Sequence, residues 1–479
     1  MKKENKLKLN FIGGNAYDVT GSMILVEWNK RKILLDCGLV QGGTTLQDYK
    51  DNKTMLTKNK LKDIEMVIVG ERHIDHIGNI PYITKINPNC KVITPIKTKK
   101  IFKCMLEDSA NIAERDCEML AKKYKDKTFI PTYTIEDVQH CINQIQETIV
   151  GEKVKIDDDI TIKFSYSGHI FGACQTELWI NVNGKIKHFL YTADLGNILN
   201  YENRPFTEQL SQVNNATIVI SESTYGKLDK FVCTKKTIDK DIEKLYSTIE
   251  QYTIDNKNRV LIPTFSLDRT PAMLYLIWKK FKDDERFKDV KVIVDSPLTN
   301  RLLDVYLNEL DDDKAELLQE ILSWENIIRV TAYEDSKYIM DNYKNCVIIA
   351  SSGMCSQGRS KVWLTKILPN ANDCLLFSGF CAENTLGGKI KNNKQKYITI
   401  DGKNYPNKCN IVNIQGQSSH IQRNELVWYL NTINCEKIYL VHGSQQARID
   451  LAQTLRDKIS KSNKTTKVVI VTKGTTCNL

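Results

Sequence analysis

The run Met66-Val-Ile-Val-Gly-Glu-Arg-His73-Ile-Asp75-His76-Ile-Gly78 decides how the rest of the chain is read. Its first four residues are apolar and predict a short buried strand. Gly70 breaks that strand, and acid and imidazole groups follow at once at positions 71, 73, 75 and 76. Four potential ligands in six residues cannot all face one way, but a tight loop can divide them between two neighbouring ions, as two-metal sites require. His and carboxylate donors without Cys suit Zn²⁺, Mn²⁺ or Fe²⁺ better than a structural thiolate site. A polar loop binding only water would read the same in isolation, so the remainder of the chain has to discriminate.

At 479 residues the chain is long enough for two or three domains, each with its own core. Its 41% hydrophobic and 26% charged content is that of an ordinary soluble globular protein. The 14 Cys form no C-x-x-C pair, so reduced thiols in a cytoplasmic protein are expected. The opening Met1-Lys-Lys-Glu-Asn-Lys-Leu-Lys-Leu-Asn-Phe-Ile has charge with no long apolar core behind it. That argues against a signal peptide, and no run spans a bilayer, so no membrane partner is expected. The formal charge of +10 favours a polyanionic partner such as nucleic acid. Lysines cluster at 97–103, 122–127 and 389–396, where a solvated face is the plainer explanation of each.

Outward from the opening stretch, residues 8–40 alternate apolar and polar segments around glycines and predict a β-meander ending at Leu34-Leu-Asp36-Cys-Gly38. Asp36 could orient a ligand or cap a turn. Residues 79–150 read as mostly helical. The β pattern returns with Ile160 to His169, Phe189 to Asp194 and Ala216 to Glu222. Near 226 the texture changes to amphipathic segments alternating with buried-looking strands, the pattern of an α/β unit with a parallel sheet. The Lys- and Asn-rich stretch 389–407 reads as a hinge, beyond which Cys409-Asn-Ile-Val-Asn-Ile resumes the first texture.

The chain has seven His, and five of them, His73, His76, His169, His420 and His442, sit just beyond an apolar strand beside Gly or Ser. Asp194 and Glu222 share that address, whereas His140 and His188 read as scattered. Loops at strand ends are where a rigid sheet presents chemistry, and seven such groups at one address point to a shared metal site.

On these motifs the chain resembles the β-CASP branch of the metallo-β-lactamase-fold nucleases, which includes the cleavage factor of messenger RNA 3′-end formation and bacterial ribonuclease J. The signature H-x-H-x-D-H aligns with Glu71-Arg-His73-Ile-Asp75-His76, and later motifs match Gly168-His169 and Thr192-Ala-Asp194. Branch-specific matches are Glu222-Ser-Thr-Tyr-Gly226, Ser418-Ser-His420 and Leu440-Val-His442-Gly443, with support from Ala350-Ser-Ser-Gly-Met354 and Thr385-Leu-Gly387.

The resemblance implies an α/β fold: an αββα sandwich from residues 1–225 and 408–479, with a β-CASP domain at 226–407 inserted, and single-stranded RNA bound in a cleft between the domains. It implies two divalent metal ions, one held by Glu71, His73 and His169, the other by Asp75, His76 and His442, with Asp194 bridging. Asp75, Glu222 and His420 become the candidate catalytic residues, His420 protonating the departing 3′ oxygen and Glu222 orienting it. Ser351, Ser352, Ser418, Ser419 and Arg269 are candidate phosphate or RNA contacts. Dimerisation is common among bacterial relatives, which leaves a homodimer open. Glu71 departs from the family's His. Its added negative charge favours a harder ion, so Mn²⁺ or Fe²⁺ competes with Zn²⁺. The alternative is a catalytically impaired RNA-binding subunit with an incomplete first site; a small-molecule hydrolase on the same fold is a third class.

Overall fold

The structure, a computed structural model, describes residues 7–13, 19–58, 61–228, 233–379, 381, 383, 385–392, 395–462, 464–472 and 474–479. The chain divides into two compact units: one of residues 1–198, 208–230 and 420–479, the other of residues 199–207 and 231–419.

In the first unit period-2 alternation builds two sheets. Ile24, Val26 and Trp28 of strand Met23–Trp28 face one apolar layer and Met23 and Leu25 another; Ile33 and Leu35 oppose Leu34 in the same way. Strands Lys8–Gly13, Met23–Trp28 and Arg31–Leu35 form the meander, the last two joined through Asn29 and Lys30, both at positive φ as a two-residue hairpin turn requires. They continue through Met66–Ile68, Lys91–Pro95 and Ile145–Thr148, and Thr476–Asn478 closes the far edge, giving a seven-stranded sheet among the described residues. The second sheet, also of seven, runs Lys467–Ile470, Lys437–Leu440, Ile218–Ser221, Lys185–Tyr191, Cys174–Val182, Ile160–Tyr166 and Val154–Lys155.

Phe11, Trp28, Phe164, Phe189 and Tyr439 fill the layer between the sheets. Phe102, Leu106 and Val138 of helices Lys99–Tyr124 and Ile135–Asn143 cover the first sheet's outer face. Leu426, Leu430, Leu451 and Leu455 of helices Arg423–Thr432 and Gln445–Lys461 cover the second. The result is the expected αββα sandwich.

The second unit holds a six-stranded sheet whose described pairings are all parallel, in the order Ile327–Val330, Lys291–Asp295, Cys346–Ala350, Arg259–Pro263, Cys374–Phe377 and Asn410–Asn413. Two details differ from the sequence reading. The stretch read as a hinge takes in the end of helix Leu386–Asn392 and a hairpin, Tyr397–Ile400 with Lys403–Pro406, in which Ile398 and Ile400 bury themselves. Polar composition hid an amphipathic hairpin. Strand Asn410–Asn413, grouped by sequence with the last segment, is hydrogen-bonded to Cys374–Phe377. Among the described residues no helix is long and apolar enough to cross a membrane, and none of the fourteen Cys forms a disulfide.

One backbone approach positions the 71–78 loop. Ser22 N donates to Asp75 O at 2.8 Å, Cys37 N to His76 O at 2.8 Å and Leu39 N to Ile74 O at 3.0 Å. Gly38 lies inside this lacing, where an added Cβ would stand 1.5 Å from Asp75 O. Gly38→Ala is therefore expected to destabilise the fold by about 1–3 kcal/mol, read as a lower urea midpoint. An unchanged midpoint would contradict the close approach.

Candidate metal centre

Strand direction explains why residues far apart in sequence meet. Ile160–Tyr166 and Lys185–Tyr191 both run antiparallel to Cys174–Val182, so they run the same way as each other. Ile218–Ser221 and Lys437–Leu440 are parallel to Lys185–Tyr191 through successive pairings. Their C-terminal ends therefore deliver His169, Asp194, Glu222 and His442 to one edge of the sheet. The first sheet delivers the 71–76 loop through the bond from Cys174 N to Gly70 O, at 3.0 Å. His420 is brought in by Ile421 N, which donates to Leu195 O at 2.7 Å, and by an isolated bridge between Gly196 and His420.

Asp75, His76, Asp194 and His442 form one group whose donor atoms all lie within 4.8 Å of one another; Glu71, His73 and His169 form a second, and His169, Asp194 and His420 a third. His76 Nε2 stands 3.3 Å from Asp194 Oδ2, His442 Nδ1 3.2 Å from Asp194 Oδ1, and His442 Nε2 3.4 Å from Asp75 Oδ2. His73 Nδ1 lies 2.9 Å from Glu71 Oε1, and His169 Nε2 3.7 Å from Asp194 Oδ2. His420 Nδ1 is 3.5 Å from Glu222 Oε2, while Glu222 Oε1 accepts from Leu195 N at 2.5 Å. The other two His lie elsewhere: His140 is exposed on helix Ile135–Asn143, and His188 pairs with Glu177 at 3.1 Å and stacks on Trp179.

Glu71, His76, His169, Asp194 and His442 are all buried. Burial works against the charge of Asp194, yet the surrounding His442, His76 and His420 imidazoles hold its carboxyl well below the usual range. Burial likewise opposes protonation of His76, but Asp194, Asp36 and Asp75 lift its pKa well above that of a free imidazole. The same opposition, resolved by Asp194 and Asp75, raises His442. Glu71 Oε2, His76 Nε2 and Asp194 Oδ1 are buried and make no aligned hydrogen bond among the described residues, although His76 Nε2 and Asp194 Oδ1 lie in ion-pair reach of Asp194 Oδ2 and His442 Nδ1. Buried polar atoms are normally paired, so oxygen and nitrogen donors left open and converging fit a divalent cation.

Supporting residues complete the centre. His76 Nδ1 lies 2.6 Å from Asp36 Oδ2, which also accepts from Tyr191 Oη at 2.5 Å. Thr224 Oγ1 lies 3.1 Å from His442 Nδ1. Gln422 donates from Nε2 to His420 O at 3.1 Å. Sequence reading missed Tyr191 and Arg72. Tyr191 lies three residues before Asp194 on an alternating strand; its hydroxyl had no sequence signal for a partner 155 positions away. Arg72 is buried between two candidate ligands and donates to Phe171 O, Ile96 O and Thr98 Oγ1. Asp36, Ala193 and His442 hold φ of +59°, +46° and +47°, a left-handed conformation uncommon for residues other than glycine, here used to turn the chain at the centre.

The remaining candidates belong to the second unit. Ser351 Oγ contacts Ser266 Oγ at 2.8 Å and Thr299 Oγ1 at 3.1 Å, and Ser352 Oγ donates to Gln357 O at 3.3 Å. Arg269 donates to Ser378 O and lines a small hollow with Phe265, Gly353 and Cys381. Ser418 is buried, and Ser419 O accepts from Arg204 Nη1 at 3.4 Å.

The Asp36 bridge yields a test, since partners that orient a ligating imidazole typically contribute 10- to 100-fold in metal affinity. Asp36→Ala is expected to weaken divalent-ion binding by roughly that factor, measured by calorimetric titration of Mn²⁺ or Zn²⁺. An unchanged affinity would assign Asp36 to turn geometry alone.

Comparison with known proteins agrees with this geometry. Residues 270–390 match the Beta-Casp domain, and residues 404–470 match the Zn-dependent metallo-hydrolase RNA specificity domain. An RNase J-like protein of Methanocaldococcus jannaschii is 27% identical across 93% of this chain and 95% of its own length. A transcription termination factor of the same organism is 24% identical across 95% and 70%, and a ribonuclease of Thermus thermophilus 24% across 92% and 94%. A solved structure, of a protein of unknown function from Enterococcus faecalis, matches at a TM-score of 0.52 and 12% identity over 99% of this chain and 100% of that one, a likeness of fold alone. By its two matched domains, its relatives and its sandwich fold, the chain belongs to the β-CASP family of metallo-β-lactamase-fold, metal-dependent hydrolases.

Proposed function

We propose that this protein is a metal-dependent ribonuclease that hydrolyses phosphodiester bonds of single-stranded RNA in the cytoplasm, using two divalent ions. The observation that carries the proposal is the pair of donor groups on either side of Asp194, each within 4.8 Å internally. Glu71, His73 and His169 would hold one ion and Asp75, His76 and His442 the other, with Asp194 shared. When bound, such ions acidify water and offset charge on phosphate oxygens.

Charge balance supports a complete site. Asp36, Glu71 and Asp194 are buried and Asp75 is half-buried, so four carboxylates share one largely enclosed place and call for positive charge there. Glu71 in place of imidazole adds the fourth, which favours harder ions and lets Mn²⁺ or Fe²⁺ compete with Zn²⁺. Glu71 also stays in reach of His73 and His169, as a ligand would. The impaired-subunit reading has no comparable support.

His420, with Glu222 3.5 Å from its ring, would carry a proton to the departing oxygen. The Glu222 carboxylate is itself fixed by Leu195 N and Thr224 N. Ser351, Ser352, Ser418, Ser419 and Arg269 are proposed as phosphate contacts. Relatives with ribonuclease names support RNA as substrate.

Elemental analysis of the purified chain is expected to give close to two ions, with Glu71→Ala losing one. Chelation is expected to abolish cleavage of end-labelled single-stranded RNA while DNA of the same sequence stays intact. At most one ion, together with cleavage that added metal does not stimulate, would overturn the proposal. Removing a general acid typically lowers kcat by about 10²–10⁴, so His420→Ala should show a loss of that order with its metal content retained.

A further inference from the structure

The lysine cluster at 122–127 is left unused by the site, and it lies on the first unit with aromatic side chains beside it. Helix Lys99–Tyr124 ends there, and Tyr49 of helix Thr45–Lys58 reaches it, its hydroxyl donating to Thr128 O at 3.4 Å. Phe129 packs its ring 5.2 Å from Tyr49 and 5.9 Å from Tyr124. Lys53 Nζ lies over the Tyr49 ring at 5.4 Å, and Lys123 Nζ over Tyr124 at the same distance.

Lys53, Lys122, Lys123, Lys125 and Lys127 are all exposed; Asp126 among them is turned to Thr128 N at 2.9 Å, and Glu118 lies one helical turn before Lys122. Among the described residues no carboxylate lies within 4.0 Å of the Lys122, Lys125 or Lys127 ammonium, as at other exposed lysines of the chain. A helix C-terminus favours cations, which accounts for Lys122 and Lys123. It does not account for Lys53 on another helix or Lys127 beyond the end. Nor does it account for large apolar side chains left in water beside them: Tyr124 is 46% exposed and Ile130 63%. Lys125 also occupies the left-handed capping position, φ +52°, which glycine fills more easily.

We infer that this lysine–aromatic surface is a second RNA-binding site, taking the phosphates of a single strand on its lysines and a base on Tyr124, at a distance from the metal centre. Single-strand sites combine these two elements, whereas an acidic protein surface would give the exposed rings no stacking role. The inference rests on the ribonuclease reading. The helix gives its reach. Its N-terminal Thr98 touches Arg72, between two ligand candidates, and 26 residues at 1.5 Å extend about 39 Å. At about 3.4 Å per stacked nucleotide a strand must run roughly a dozen nucleotides to occupy both places. Long RNA then binds more tightly than short RNA without a change at the reacting phosphate.

The test uses the full chain with a 30-nucleotide and a 6-nucleotide oligouridine, fluorescently labelled, binding in chelator and cleavage in metal. In the quadruple variant Lys122→Gln, Lys123→Gln, Lys125→Gln, Lys127→Gln, affinity for the 30-mer should fall about tenfold and the slope of log Kd against log salt by up to ~3. Cleavage of the hexamer, which cannot occupy both places at once, should not move. Tyr124→Ala should weaken the 30-mer severalfold with the salt slope retained. An unchanged 30-mer affinity in the quadruple variant overturns the inference, leaving the patch to an acidic protein. Equal loss of cleavage for both lengths overturns it as well. A parent chain that favours the 30-mer through these lysines but cleaves nothing sustains the surface and overturns the ribonuclease reading instead.

Discussion

Four carboxylates, those of Asp36, Glu71, Asp75 and Asp194, lie close together and mostly out of water, and a fold that buries them must supply positive charge at the same place. Unpaired buried charge is among the most destabilising things a protein can contain. Imidazoles provide part of the compensation, which is why His76 and His442 hold protons more strongly than a free imidazole and Asp194 releases its own more readily. The donor atoms left without hydrogen bonds define where cations would complete the balance.

The rest of the first unit can be understood as the frame this arrangement requires. Strands sharing one direction bring their C-terminal loops to a common edge, so chain segments more than three hundred residues apart contribute to one centre. Backbone bonds then fix the loops rigidly: Cys37 to His76, Ser22 to Asp75, Ser223 to His442. Left-handed turns at Asp36, Ala193 and His442 aim side chains that an extended strand would point away. The apolar layers on both sides of each sheet supply the stability that such turns and buried charges draw down.

How much of this was legible in the sequence depended on the range of the signal. Alternation in Met23–Trp28 and Arg31–Leu35 announced half-buried strands, and polar groups just past apolar runs announced a loop-built site. His73, His76, His169, Asp194 and His442 could be grouped by that shared address before any distance was known. Asp36 was visible only as an acid at a strand end, with two readings open. Tyr191 and Arg72 were invisible because their partners lie in distant segments and neither residue type is unusual where it stands. The 389–407 stretch misled because lysine and asparagine dominate its composition, while the few apolar residues that make the hairpin, Ile398 and Ile400, alternate too briefly to register. Strand Asn410–Asn413 misled for another reason: a short apolar run carries no mark of which sheet will take it.

The central claim is that two cations sit in the first unit on either side of Asp194. Anomalous X-ray scattering from crystals grown with Mn²⁺ or Zn²⁺, collected on both sides of the metal's absorption edge, tests this directly. The account predicts two peaks about 3.5–4 Å apart, one against Glu71, His73 and His169 and the other against Asp75, His76 and His442. A single peak, or peaks away from Asp194, would contradict it.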